Sequence, residues 1–191
     1  MAPSISYIIL SGGRSTRLGS DKARVLLNGE TLLARTITRL PHESVKVVVG
    51  DQVAGIDGVS WVREEPLYSG PVSAISAALR SIATELVGLL AVDMPFGTSV
   101  LKELVERDFA EFDALIPLDG EEFPQSLSAL YKVHALQAAL AALEPVANRS
   151  MRELLAQLNY KGVRLGRELA DKLIDIDTPS DLEKVRNARV D

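Results

Sequence analysis

The chain has 191 residues, of which 47% are hydrophobic, and it contains no cysteine. A chain of this length can bury a substantial core, and we expect one domain spanning residues 1–191. The formal net charge of −5 argues against a nucleic-acid partner or an anionic membrane surface, because phosphate groups favour clustered positive charge. The lack of cysteine excludes disulfides and thiol-ligated metal sites. With no apparent signal peptide or membrane-spanning run, the sequence predicts a cytoplasmic protein.

The first predicted element is a buried strand at residues 5–10, which is short, apolar and followed by a glycine pair. Ser11, Gly12 and Gly13 remove side-chain bulk where this strand ends, so the backbone can turn tightly and approach a phosphate group. Basic residues follow closely, opposed only by Asp21: Arg14, Arg17, Lys22 and Arg24. This loop can hold a polyphosphate. The alternative is a polar connection with solvated arginines.

The loop differs from the two commonest glycine-rich phosphate motifs. A Walker loop requires four residues between its glycines and a Gly-Lys pair, whereas here five residues separate Gly13 from Gly19 and Lys22 follows three positions later. The dinucleotide fingerprint G-x-G-x-x-G is also absent.

Strand-like and helix-like segments alternate along the rest of the chain. Further strands are predicted at 45–49, 59–62, 87–92, 113–117, 126–131 and 172–177. Helices are predicted at 31–40, 72–83, 98–105, 134–143, from Ser150 with Glu153 at the capping position, and from Thr178-Pro179. For the third of these helices, Thr98 or Ser99 is the expected cap, with Glu103 as its reciprocal partner.

This alternation predicts an α/β fold with a mainly parallel sheet covered on both faces. Ligands of such sheets bind where the strands end. Four segments follow predicted strands and should face one crevice: the Gly12-Gly13 loop, Gly50-Asp51, residues 65–70 and Asp93.

Asp93 ends the most apolar predicted strand, and burying its charge in the core would be costly, so we expect it to face the crevice. There it could bind Mg²⁺ together with phosphate oxygens. The alternative role is to cap the following helix or to order the Met94-Pro95 turn.

The complete string LSGGRSTRLGSDK resembles the signature of the molybdenum cofactor guanylyltransferase (MobA) family. The segments VDMPF, SGPV, PQSLSALY and DIDTPSDL are similar to further family segments, so the resemblance extends over nearly the whole chain. It implies a Rossmann-like three-layer domain of the nucleotide-diphospho-sugar transferase type. It also implies transfer of GMP from GTP to the phosphate of molybdopterin, with Mg²⁺ as cofactor and molybdoenzyme-maturation proteins as possible partners.

The resemblance also assigns site residues. It implies Arg17, Lys22 and Asp93 as catalytic residues and Asp93 as the metal ligand, with Asp177 as the candidate second ligand, as in relatives with the pattern D-x-D-T-P. The nucleotide-binding residues are Leu10, Ser11, Gly12, Gly13, Lys22, Gly50, Glu65, Gly70 and Asp93.

The chain departs from the family pattern at three places. Gly50 stands where asparagine is frequent, Glu65 replaces the usual aspartate with Glu64 beside it, and Asp175 and Asp177 replace two asparagines. Asp177 could be a second metal ligand or a surface variation. Three alternatives therefore stay open: a cytidylyltransferase, a transferase with another phosphorylated acceptor, and a non-catalytic nucleotide- or cofactor-binding protein.

Overall fold

The computed structural model describes residues 4–12, 21–108 and 110–187. Nine strands lie within these ranges: β1 Ile5–Leu10, β2 Leu26–Leu27, β3 Glu30–Thr31, β4 Lys46–Val49, β5 Ser60–Val62, β6 Leu86–Ala91, β7 Ala114–Leu118, β8 Ser128–Lys132 and β9 Tyr160–Arg164. Seven α-helices accompany them in the described residues: α1 Leu32–Thr38, α2 Pro71–Leu79, α3 Gly97–Val105, α4 Val133–Ala142, α5 Met151–Leu155, α6 Arg167–Ala170 and α7 Pro179–Asn187. A short 3-10 helix spans Lys22–Arg24.

Seven of the strands form one sheet in the order β5-β4-β1-β6-β8-β7-β9. Strand β1 runs parallel to β4 and β6, β4 is parallel to β5, and β7 is parallel to β9. Strand β8 is antiparallel to both of its neighbours, β6 and β7. The predicted mainly parallel sheet is therefore confirmed, and the reversed strand brings the segment before β8 to the edge where the parallel strands end.

Helices cover both faces of the sheet. Alternate residues of each central strand point to opposite faces and pack against these helices. Ile8 packs with residues of α2, α4 and α5 on one face. Tyr7 and Ile9 pack with residues of α1, α3 and α7 on the other. The result is the expected three-layer α/β/α arrangement. None of the helices in the described residues is both long enough and apolar enough to cross a membrane.

Most predicted elements are confirmed, and two predictions are wrong. Residues 172–177 form no strand; Ile176 is fully buried, but its N–H donates to the Asp93 carbonyl in a loop (2.9 Å) and not to a strand ladder. Helix α3 begins at Gly97 after Phe96, with no side-chain cap, and Glu103 instead pairs with Arg107.

The capping prediction for α5 is confirmed. Ser150 accepts a hydrogen bond from the Glu153 N–H, and the Glu153 carboxylate accepts one from the Ser150 N–H. Four features were not predicted from the sequence: strand β9, helix α6, the 3-10 helix and the β2–β3 hairpin, whose turn residues Asn28 and Gly29 both have positive φ.

Candidate functional site

A cavity of about 930 Å³ opens at the edge of the sheet where β1 and β6 end. One side is formed by the end of β1 and by residues that lead into α2. The other side is formed by residues 124–127, which lead into β8. Lys22, Asp93, Asp175 and Asp177 also line this cavity. Its position is the one expected for a ligand site in an open α/β sheet.

The end of β1 lies against the end of β4. The Ser11 N–H donates to the Val49 carbonyl (3.0 Å), and Ser11 is buried. Gly12, the next residue and the last one described before the gap, is exposed. Gly50 packs behind it, because a Cβ on Gly50 would lie 2.3 Å from Ser11 Oγ. The glycine at this position therefore allows the two strand ends to approach closely.

The segment between β5 and α2 forms an adjacent wall. Glu64 is buried, and its Oε1 accepts a hydrogen bond from the Tyr68 N–H (2.8 Å). Tyr68 has a φ of 61°, and its ring lies 5.3 Å from the Arg63 guanidinium. Gly70 has a φ of 94° and precedes Pro71 at the first turn of α2. Since side chains rarely adopt this backbone conformation, glycine suits the turn that aims the helix N-terminus at the cavity.

Local structure places Lys22 at the floor of the cavity. The Asp21 side chain caps the 3-10 helix by accepting the Ala23 N–H (3.0 Å), as short polar side chains do at helix starts. Ala23 is buried in the core beside α1, so the short helix is anchored on its inner side. Lys22 can then extend toward the ends of the strands.

Two carboxylates from distant parts of the chain meet at Lys22. Its Nζ donates to Asp93 Oδ2 at 2.6 Å and also to Asp177 Oδ1. The hydrogen bond from the Ile176 N–H to the Asp93 carbonyl (2.9 Å) holds the second segment beside β6. Asp177 is then followed by a reciprocal cap between Thr178 and Asp181 that starts α7. The side chain of Asp93 thus contacts the ligand cavity and does not cap α3, which has no side-chain cap.

The surroundings of this cluster keep Lys22 protonated and make Asp175 harder to ionise than an ordinary aspartate. Burial opposes the charge on Lys22, but the hydrogen bonds to Asp177 and Asp93 outweigh it and raise the pKa of the lysine. Burial, and then the charges of Asp93 and Asp177, raise the pKa of Asp175 to about 6. Among the described residues that line the cavity, Lys22 is therefore a charged ammonium group close to the carboxyl groups of Asp93, Asp175 and Asp177.

Most of the predicted site residues in the described ranges lie at this cavity: Leu10, Ser11, Gly12, Lys22, Gly70, Asp93 and Asp177. Gly50 lies behind Ser11 and does not line it, and Asp51 pairs with Arg63. Glu65 is exposed and Glu64 lines the cavity in its place, because the hydrogen bond to Tyr68 turns Glu64 inward. Gly13 and Arg17 fall outside the described residues.

The cavity also contains residues that were not assigned to the site from the sequence. Asp175 shares a segment with Asp177, so the repeated aspartates were an available signal. Gln125 precedes β8, and its only signal was its place in the segment PQSLSALY. Both histidines are exposed and neither lines the cavity.

The family model for the MobA-like NTP transferase domain matches residues 7–163, which is most of the chain. The chain belongs to this family. The matched segment includes the glycine loop, Lys22, Asp93 and every strand of the large sheet except the first residues of β1 and the last residue of β9. The segment with Asp175 and Asp177 lies beyond it.

Relatives and solved structures agree with this assignment. A probable molybdenum cofactor guanylyltransferase of Chloroflexus aggregans is 32% identical, covering 95% of this chain and 93% of its own. One from Pelotomaculum thermopropionicum is 30% identical, covering 94% and 90%. Molybdopterin-guanine dinucleotide biosynthesis protein A from Archaeoglobus fulgidus superposes with a TM-score of 0.73 at 24% identity, covering 95% and 96%. A 2-C-methyl-D-erythritol 4-phosphate cytidylyltransferase from Thermus thermophilus gives 0.69 at 18% identity, covering 98% and 100%, and shares the fold.

Proposed function

We propose that this protein transfers GMP from GTP to the phosphate of molybdopterin and releases pyrophosphate. The observation that supports it most directly is the Lys22 ammonium held between Asp93 and Asp177 in the lining of the cavity. The choice of substrates rests on the relatives, whose names specify a molybdenum cofactor guanylyltransferase at 30–32% identity over nearly the whole chain.

The order of strands suggests how two substrates share the cavity. Ser11, Gly12 and Gly70 lie on the side of β1, β4 and α2, where small residues leave room for a nucleotide. We place GTP there, with the segment from Leu10 to Gly13 assigned to its phosphates, as the resemblance to the family implies, and with Glu64 near the base. Residues 124–127 lie across Asp93 on the side of β8, and we place the acceptor beside them.

Positive charge is needed where the triphosphate meets the carboxylates. We assign Lys22 to the nucleotide phosphates, because its raised pKa keeps the ammonium charged at neutral pH. Arg17 is proposed to neutralise the departing pyrophosphate, as the resemblance to the family implies.

The donor set at the cavity floor fits Mg²⁺. Asp93 and Asp177 lie close together because both accept hydrogen bonds from Lys22 Nζ, and Mg²⁺ is usually held by one or two carboxylates together with substrate phosphates. Asp93 is the proposed principal ligand and Asp177 the second. When bound, Mg²⁺ would neutralise charge on the α-phosphate and on the acceptor.

The reaction then needs position and charge more than proton transfer. An oxygen of the acceptor phosphate forms a bond to the α-phosphorus of GTP, while the bond from that phosphorus to the bridging oxygen breaks and pyrophosphate leaves. The attacking phosphate is already ionised at neutral pH, so no general base is required. Lys22 is positioned to stabilise charge on the phosphate oxygens as this exchange proceeds.

The test is whether both substrates are needed and whether both appear in the product. Purified protein is incubated with Mg²⁺ and GTP, with and without molybdopterin, and the product is analysed by mass spectrometry. We expect a dinucleotide whose mass is the sum of GMP and molybdopterin less one water. A product lacking either part, or pyrophosphate released equally without the acceptor, would contradict the proposal. We further propose that residues 1–191 act as one domain in the cytoplasm and pass the product to molybdoenzyme-maturation proteins.

A further inference from the structure

The carboxylate of Asp119 has both oxygens committed to hydrogen bonds just after β7. Its Oδ1 accepts the N–H groups of Glu121 and Phe123, each at 2.9 Å. Its Oδ2 accepts Nε2 of Gln125 at 2.7 Å. Burial opposes ionisation here, but these hydrogen bonds outweigh it and hold the pKa of Asp119 below its ordinary value. Asp119 is therefore ionised at neutral pH and acts only as an acceptor.

An acceptor-only neighbour fixes the orientation of the Gln125 amide. The amide nitrogen must face Asp119, because turning the carbonyl oxygen toward it would oppose two acceptors. The backbone of Gln125 is also held, since its N–H donates to the Pro117 carbonyl (2.8 Å) and its carbonyl accepts the Ser128 N–H (3.1 Å). With its position and its amide orientation both fixed, Gln125 has its carbonyl oxygen Oε1 left to hydrogen-bond with a ligand.

Gln125 lines the cavity on the side away from the glycine loop. In the sheet, β6 and Asp93 lie between β1, which leads into that loop, and β8, which Gln125 precedes. The turn that contains Gln125 is braced from outside by Arg164 of β9, whose guanidinium contacts the Glu122 carboxylate at 2.7–3.1 Å. The contacts in this wall thus hold the Gln125 amide in one orientation.

We propose that Asp119 is a positioning residue that directs the Gln125 Oε1 atom to the N–H groups of the acceptor's heterocycle. The inference rests on the proposed function, because molybdopterin is a pterin and its ring presents N–H donors. Gln125 would then distinguish such an acceptor from phosphorylated molecules that lack a donor edge. A site with a fixed polar group rejects ligands that leave that group unpaired.

Two substitutions test the two parts of the inference. Gln125→Ala removes the contact itself. Asp119→Asn keeps Oδ1 for the two backbone N–H groups but places an amide nitrogen opposite Gln125, so the glutamine must rotate and present its own NH₂ to the acceptor. Asp113→Asn is the matched control, because Asp113 also accepts a backbone N–H (2.9 Å) but precedes β7, at the opposite end of the strand. Gln157→Ala, at an exposed position, is the control for the glutamine.

Steady-state kinetics with GTP and molybdopterin give the decisive readout. We expect the KM for molybdopterin to rise about tenfold in Gln125→Ala and in Asp119→Asn, with the KM for GTP nearly unchanged. A merely structural role for Asp119 would alter both constants or lower the midpoint of urea unfolding. If Asp119→Asn does lower that midpoint, Gln125→Ala decides, because it leaves Asp119 in place.

The kinetic measurements distinguish a failure of this inference from a failure of the proposed function. An active wild type whose KM for molybdopterin is unchanged by Gln125→Ala would overturn the inference alone. A rise in the KM for GTP instead would also overturn it, because Gln125 would then contact the nucleotide. A wild type that forms no product from GTP and molybdopterin would overturn the proposed function and the inference with it.

Discussion

Lys22 links the two halves of the candidate site. It follows the glycine loop near the start of the chain, yet it contacts Asp177, 155 positions further on. Lys22 and Asp93 are both largely shielded, with side-chain exposures of 20% and 21%. An ion pair shielded from water in this way is screened by salt less than a surface pair.

Replacing Lys22 should therefore affect turnover strongly. We expect Lys22→Ala to lower kcat by about 10²-fold or more, the usual effect of removing one charge-stabilising group from a transition state. Lys161→Ala is the control, because Lys161 is exposed on β9 and lies over the Phe112 ring at 5.5 Å. Pyrophosphate release under saturating substrates measures both. Equal rates for the two variants would refute the phosphate role of Lys22.

Asp175 gives a prediction for the effect of pH on stability. Its folded-state pKa is about 6, raised from an ordinary value of 3.8, so the folded state binds the proton more tightly than the unfolded state. This group therefore favours folding less as pH rises from about 4 to about 6, and its unfavourable contribution is complete above that window.

Asp175→Asn should consequently raise the free energy of unfolding at pH 7, with a gain that disappears below about pH 4. Urea titrations in EDTA at several pH values measure it, and Asp171→Asn is the control, because Asp171 is exposed like Asp175 but does not line the cavity. A gain independent of pH would show that charge on Asp175 is not its cause.

Among the elements, the ends of β1 and β4 pack closely enough to be tested by substitution. A Cβ at Gly50 would lie 2.3 Å from Ser11 Oγ, so Gly50→Ala should destabilise the protein by about 1–3 kcal/mol. Removing the hydroxyl in Ser11→Ala should recover part of that loss in the double variant. Gly120→Ala is the control, since nothing lies within 4 Å of its added Cβ. Strictly additive free energies from urea unfolding would contradict this packing.

The elements that sequence predicts well are those with strong local signals. Strand β1 is predicted to the residue because its apolar run ends at a serine and two glycines. The start of α5 is likewise predicted, because Ser150 and Glu153 form a capping box through neighbouring backbone groups alone. In both cases the deciding interactions are close in sequence.

The wrong and missed predictions concern segments whose structure is decided by contacts between residues far apart in the sequence. Residues 172–177 have apolar alternation, but that pattern serves to bury Ile176 beneath Asp93 and not to pair with a strand. Strand β9 was missed because it is an edge strand with exposed charges, such as Lys161 and Arg164, in place of an apolar run. Phe96 takes the start of α3, where Thr98 or Ser99 had been the expected cap.

The same contrast between local signals and long-range contacts applies to the candidate site. The glycine loop, Lys22 and Asp93 follow from strand ends and from the rule that such ends meet at one edge. The choice between Glu64 and Glu65 was not, because it depends on the hydrogen bond from the Tyr68 N–H. The orientation of the Gln125 amide was not predictable either, because it depends on the hydrogen bond to Asp119, six positions earlier in the chain.

At the scale of the whole molecule, the strand order separates two walls of the cavity around a charged cluster. The parallel strands β4 and β1 supply the glycine side, and the reversed strand β8 supplies the opposite wall. Asp93 follows β6 between them, and in the proposed reaction a phosphate of each substrate meets there. We propose that this position is the centre of a metal-dependent GMP transfer.

The most direct test of that claim is pyrophosphate release from GTP, CTP, ATP and UTP in the presence of Mg²⁺ and molybdopterin. It is measured for the wild type, for Asp93→Asn and for the control Asp57→Asn, whose aspartate is exposed and does not line the cavity. We expect release with GTP in the wild type and in Asp57→Asn, and a loss of about 10²-fold or more in Asp93→Asn. Release with CTP alone, or undiminished release from GTP by Asp93→Asn, would contradict it.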